Sequence, residues 1–167
     1  DELISPTLFL PVAHEFGMVS RIDLWVLENT LRFMASHRES HPGMRLALNL
    51  APSTASGLGF ARRVAELLEQ HGIEAWQLVF EITESHSLVN VEQARRTLSE
   101  LRELGCRVAI DDFGTGYASY ARLKHISADI LKIDGSFIRN IATSSLDYQI
   151  VSSICHLARM KKMRVVA

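Results

Sequence analysis

Apolar residues recur at helical spacing over two stretches near the start of the chain, 7–17 and 20–37. In the second, Leu24, Leu27, Leu31 and Met34 fall three or four residues apart, and Ser20 stands where an N-cap is expected. His41-Pro42-Gly43 breaks the pattern. Arg45 to Ala51 then gives a near-continuous apolar run, the mark of a strand covered on both faces. An amphipathic helix is predicted over 57–71 through Val64, Leu67 and Leu68, with Gly72 as its stop. Leu78 to Thr83 is the next strand and 88–104 the next helix, ending at Gly105. Arg107 to Asp112 and Ile130 to Asp134 are two more strands. A helix from Leu146 to Lys161 leads to a last strand at 164–167.

Strand and helix alternating in this way predict a parallel sheet. Two architectures satisfy the pattern: an open doubly wound sheet, or part of a (β/α)8 barrel. No glycine-rich phosphate loop opens a helix after a strand, which weakens the nucleotide-binding open sheets. Polar residues collect instead at the C-terminal ends of successive strands, where barrel enzymes carry their chemistry, although open sheets bind ligands on the same side.

The 167 residues match one domain, 1–167, with 47% apolar and 22% charged residues. Eighteen Lys and Arg against nineteen Asp and Glu leave a net charge of −1. That balance gives no reason to expect a nucleic-acid polymer or an anionic membrane as partner. No run approaches the roughly 18 apolar residues of a membrane span. Cys106 and Cys155 lack metal-ligand or disulfide spacing and are expected as buried or half-buried thiols in a reducing cytoplasm. The apolar run Met163-Arg164-Val165-Val166-Ala167 stops at the last residue, as expected of a chain cut from a longer one.

Four strand ends carry groups that a core does not need. Asn49 interrupts an apolar run; Glu81 lies within a strand and Glu84 three residues on. Asp111 and Asp112 precede a glycine-rich turn. Lys132 and Asp134, two apart, share a strand face. Singly, each has an ordinary reading: a strand-end hydrogen bonder, an ion pair, or turn chemistry. Together, several carboxylates at one end of a sheet call for a cation, since an uncompensated buried charge costs several kcal/mol. Carboxylates with an amide carbonyl form an all-oxygen donor set suited to Mg²⁺ or Mn²⁺ and not to zinc. Adjacent aspartates can serve two metals in phosphodiester cleavage, with Lys132 orienting water or neutralising phosphate charge.

These same residues lie in segments with a known likeness. Residues 4–19 (ISPTLFLPVAHEFGMV), 46–52 (LALNLAP), 78–85 (LVFEITES) and 108–138 (VAIDDFGTGYASYARLKHISADILKIDGSFI) resemble the EAL-domain family of cyclic di-GMP phosphodiesterases. The resemblance implies a TIM-like (β/α)8 barrel, α/β in class and incomplete here, with a divalent-metal site of Mg²⁺ or Mn²⁺ at the strand C-termini. It implies Asn49 and Glu81 as metal ligands, Asp111 as a ligand to both metals and Asp112 to the second. Lys132 would hold the attacking water or the phosphate, with Asp134 supporting it, and Glu84 would anchor the loop from Phe113 to about Tyr120. The reaction would be hydrolysis of cyclic di-GMP to linear pGpG in bacterial second-messenger signalling.

The Glu-Ala-Leu tripeptide of the family is expected upstream of Ile4, and a Glu-Gly-Val-Glu segment with further strands downstream of Ala167. Neither is in the sequence. The family also implies homodimerisation and attached GGDEF or PAS domains, in a parent that is cytoplasmic or membrane-anchored. Departures within the matched span are mild: Ala51 where Ser is common, His14 where an acid is usual, and Gly135 where Arg is usual. An alternative is a non-catalytic cyclic di-GMP receptor or interaction module, a class that typically loses metal-site residues. With five strands where a closed barrel has eight, the isolated chain is expected to be inactive and to associate through its open edges.

Overall fold

The structure is a computed structural model that describes residues 4–83, 91–115 and 126–167. Helix α1 spans Pro6–Glu15, capped by the Ser5 hydroxyl and opened by Pro6. Gly17, at φ 64°, then reverses the chain. The Met18 N–H closes back on the Ala13 carbonyl at 2.7 Å, so α2 (Val19–Ser36) begins without a side-chain cap. Ser20 therefore lies inside α2 instead of capping it, and its hydroxyl pairs with that of Thr54 at 3.1 Å.

Strand β1 is Leu46–Asn49, followed by a short helix α3 at Pro52–Ala55. The helix expected over 57–71 starts only at Phe60 (α4, Phe60–His71), because Gly59 takes up a left-handed conformation at φ 80° just before it. The remaining elements are β2 (Leu78–Thr83), α5 (Val91–Glu103), β3 (Arg107–Phe113), β4 (Ile130–Ile133), α6 (Gly135–Ile138), α7 (Ser145–Met160) and β5 (Arg164–Val166). The four-residue α3 and α6 were not expected from periodicity, since a single turn is too short to show one.

All five strands pair in parallel, in the order β1-β2-β3-β4-β5. A doubly wound sheet reverses direction at a switch point; here each strand adds beside its predecessor, as in the wall of a barrel. Strand alternation divides the sheet into two faces. Leu48, Phe80, Ile82, Val108, Ile110, Leu131 and Ile133 are buried on one face. Against them pack Leu27 and Leu31 of α2, Val64 and Leu67 of α4, Leu98 and Leu101 of α5, and Ile154 of α7. Phe60 meets Phe80 edge to face, with ring centroids 5.8 Å apart.

The opposite face holds Ala47 and Asn49 of β1, both exposed. Among the described residues helices cover one face of this run, where coverage of both was expected; further along the other face Ala109 of β3 is buried. One loop that sets the strand spacing is tied by Asp129. Its carboxylate receives the Arg102 guanidinium at 3.0–3.2 Å and the Val108 N–H at 3.0 Å.

Both cysteines are free, Cys106 buried and Cys155 half-buried. Burial pushes the Cys106 thiol up to about 12. A thiol reagent applied at pH 8 is expected to label only Cys155 in the folded chain and both residues in denaturant. Labelling of Cys106 without denaturant would contradict the packing described.

Candidate functional site

In β2, the burial of Leu78, Phe80 and Ile82 turns Glu81 and Thr83 to the opposite face. The parallel register places Asn49 of β1 beside Glu81, and Thr83 beside Asp111 of β3. In β4, Lys132 stands between the buried Leu131 and Ile133 and so shares that face. Its Nζ donates to Glu81 Oε2 at 2.8 Å and to Asp111 Oδ2 at 2.9 Å. The three side chains are 13%, 20% and 29% exposed for Glu81, Asp111 and Lys132, so water screens this triad less than a surface pair. Burial works against the Lys132 ammonium, but its hydrogen bonds to Glu81 and Asp111 and their charges hold its pKa above the ordinary lysine value.

Strand β3 breaks the alternation at this point. Ile110 pairs with Leu131 and Phe113 with Ile133, so two residues of β3 oppose one residue of β4. The two are Asp111 and Asp112, and the one is Lys132. This is a β-bulge, which re-aims side chains and recurs beside active sites. Strict alternation would carry Asp112 into the core beneath Ile110. Instead Asp112 adopts φ 54°, a left-handed conformation that aspartate tolerates better than bulkier residues, and is exposed. Its N–H donates to Asp111 Oδ1 at 3.0 Å, and the Thr115 hydroxyl donates to its carbonyl at 3.0 Å. Desolvation, with the charges of Asp111 and Asp134, raises the Asp112 pKa above its ordinary value.

Asp134 does not pair with Lys132. It is the N-cap of α6, its Oδ1 accepting the Ser136 N–H at 2.7 Å, and these bonds hold its carboxyl below the ordinary value. Its own N–H reaches the Phe113 carbonyl at 3.3 Å, so the turn after β4 is laced to the turn after β3. Phe137 of α6 strengthens that link. A Cβ added at Gly114, which has φ 110°, would lie 2.7 Å from the Phe137 ring. Sequence reading missed Phe137 and the bulge. The signal for the bulge was present, because Ile110-Asp111-Asp112-Phe113 puts two polar residues between apolar ones where a strand has room for one. Glu84 and residues 116–120 of the glycine-rich loop lie outside the described residues.

Among the described residues, no three Asp, Glu, His or Cys side chains are gathered as a metal cluster. Lys132 lies between the two inward carboxylates. The donor set nevertheless fits a hard divalent cation. Asn49, Glu81, Asp111 and Asp112 present carboxylate and amide oxygens, and the three carboxylates outnumber the single Lys132 ammonium among them.

A family model described as the EAL domain matches residues 1–167. The chain belongs to the EAL domain family. It is 66% identical over 167 residues to the cyclic di-GMP phosphodiesterase PdeF of Escherichia coli K12, a match covering 100% of this chain and 22% of that protein. It is 42% identical over 165 residues to the probable cyclic di-GMP phosphodiesterase PdeA of the same organism, covering 99% of this chain and 23% of PdeA. The chain thus spans less than a quarter of the length of these relatives. Among solved structures, the c-di-GMP complex of the PaMucR phosphodiesterase superposes with a TM-score of 0.84 at 35% identity, covering 97% of this chain and 66% of that one. The Xanthomonas citri FimX EAL domain in complex with c-diGMP superposes at 0.89 over 98% of this chain and 65% of that one; at 23% identity it speaks for the fold alone. The five-stranded sheet is therefore part of the TIM-like barrel of EAL domains. No helix of the described residues is long and apolar enough to cross a membrane.

Two stability measurements probe the site's electrostatics. Replacing Lys132 by Met leaves Glu81 and Asp111 facing one another without a cation. It is expected to lower unfolding free energy at neutral pH by about 1–3 kcal/mol; an unchanged urea midpoint would show the triad to be energetically idle. The Asp112→Asn variant should move the other way. A carboxyl whose folded pKa is raised contributes stability that is present below the unfolded value of 3.8 and lost as pH rises through the folded value. In chelator-treated protein, the variant's thermal midpoint is therefore expected to exceed that of the parent at neutral pH, and to match it below pH 3.8.

Proposed function

We propose that this EAL chain, with residues 1–167 forming part of a single domain, takes part in metal-dependent hydrolysis of cyclic di-GMP to linear pGpG. The observation that carries the reading is the β3 bulge. It sets two aspartates opposite Lys132, with Glu81 and Asn49 in register on the same face. Identity of 66% to PdeF supports the same chemistry, and the PaMucR phosphodiesterase was solved with c-di-GMP bound.

In this reading Asn49, Glu81, Asp111 and Asp112 hold Mg²⁺ or Mn²⁺, which supplies Lewis acidity toward a phosphoryl oxygen. Lys132 has three N–H donors and places two on carboxylates. The third is left for the phosphate or for the attacking water, and the two carboxylates fix where it points. Asp134 acts through the backbone, by capping α6 and fastening the turn beyond β4 against Phe113. Glu84 is assigned to the loop that follows Phe113.

Cyclic di-GMP is the proposed partner, and a second copy or attached GGDEF and PAS domains belong to the same proposal. The similar protein MucR of Pseudomonas aeruginosa, 36% identical over 166 residues, is named a bifunctional diguanylate cyclase and phosphodiesterase. The chain is assigned to the cytoplasmic side, where such domains would meet the nucleotide.

The whole protein that carries this chain, incubated with cyclic di-GMP and Mg²⁺ or Mn²⁺ and followed by chromatography, should yield pGpG, whereas residues 1–167 in isolation should yield none. The Asp111→Asn variant should reduce turnover by about a hundredfold or more, the scale of losing one electrostatic group at the reacting centre. Tight binding with no pGpG from the whole protein would favour the receptor reading instead.

A further inference from the structure

The buried stripe of α2 contains a carboxylate. Leu27, Leu31 and Met34 are buried along it, and Asp23 lies one turn before Leu27 on the same face. Its Oδ2 accepts the backbone N–H of Ala51 at 3.0 Å and the hydroxyl of Thr54. Thr54 in turn pairs with Ser20, also of α2. Burial raises the Asp23 carboxyl above its ordinary value despite these two bonds, so the group is held at a site where its charge is not favoured by solvent. None of the roles assigned above uses it.

What Asp23 grips is the segment that leaves β1. The Leu50 N–H donates to the Glu81 carbonyl at 2.8 Å, and the next N–H, that of Ala51, donates to Asp23. Ala51 is the N-cap of α3 and has no side-chain acceptor of its own; no side-chain cap bond forms there. Consecutive backbone groups are thus pinned to β2 on one side and to α2 on the other, immediately after Asn49.

We propose that Asp23 is a positioning residue for Asn49, acting through Ala51 to hold the amide beside Glu81 at the mouth of the sheet. This rests on the reading of Asn49 as a donor to a divalent cation. The test is Mn²⁺ affinity of the full chain without substrate, followed by the paramagnetic resonance of free Mn²⁺, in a double-mutant cycle. Asp23→Ala is expected to weaken Mn²⁺ binding about tenfold, as loss of an outer-shell partner does. The same substitution in an Asn49→Ala background should add nothing further, because the group being positioned is gone. Asp23→Asn keeps an acceptor for the Ala51 N–H and should retain most of the affinity; should Asp23→Ala fail to fold, Asp23→Leu, which fills the space but offers no acceptor, carries the two-background comparison. An equal loss in both backgrounds, or no loss in either, would overturn the positioning role alone. Unchanged Mn²⁺ binding in Asn49→Ala by itself would overturn the placement of the amide in the site, and the role of Asp23 with it.

Discussion

The Lys132 ammonium, 2.8 Å from Glu81 and 2.9 Å from Asp111, is the interaction around which the polar face of the sheet is arranged. Three adjacent parallel strands each bring one charged side chain to the same face, Asp111 two residues further along the register than Glu81, and the ammonium that bonds both carboxylates makes that tolerable. The same pair of bonds fixes all three rotamers. A site that must present carboxylates in a set geometry cannot leave them on long, free side chains, because each freely rotating chain loses entropy when it is finally ordered. Here that ordering is complete before any ligand arrives.

The bulge in β3 follows from the same constraint. A regular strand offers one side chain per face every second residue, so two consecutive aspartates could not both avoid the helix-facing core. Inserting one residue opposite Lys132 lets Ile110 and Phe113 stay buried while both aspartates leave the core. The cost is a left-handed aspartate with a raised carboxyl pKa. Stability and chemistry are thereby separated by face: the helix side is mainly apolar, and the strain and surplus charge sit at the C-terminal mouth.

Much of this was legible in the residue pattern. The strands at 78–83 and 107–112, the second running on to Phe113 in the structure, and the stop at Gly72 follow from their apolar runs and from glycine's freedom at positive φ. The site residues Glu81, Asp111 and Lys132 stood out only together, because several charged groups at the ends of neighbouring β runs exceed what an ion pair or turn chemistry at each would explain. Less legible were features that depend on residues far apart in sequence. Ser20 has the chemistry of an N-cap, but the turn at Gly17 starts α2 before it. Asp134 and Lys132 share a face by spacing, yet Asp134 caps α6, since the nearest donor is a backbone N–H two residues on. Whether the face bearing Asn49 is covered depends on neighbours that no local pattern describes.

The contact between Gly114 and Phe137 makes the turns after β3 and β4 one mechanical part. The Phe137 ring lies where a Cβ at position 114 would have to go, so contact and backbone conformation both hold that position to glycine. Even a smaller residue at 137 does not relieve the demand for glycine that the φ of 110° sets at 114. A displacement of α6, by a neighbouring domain or a second subunit leaning on it, would be passed through that ring to the backbone two residues from Asp112. The outer surface of α6 and the turn that carries Asp112 are thus separated by a single aromatic ring.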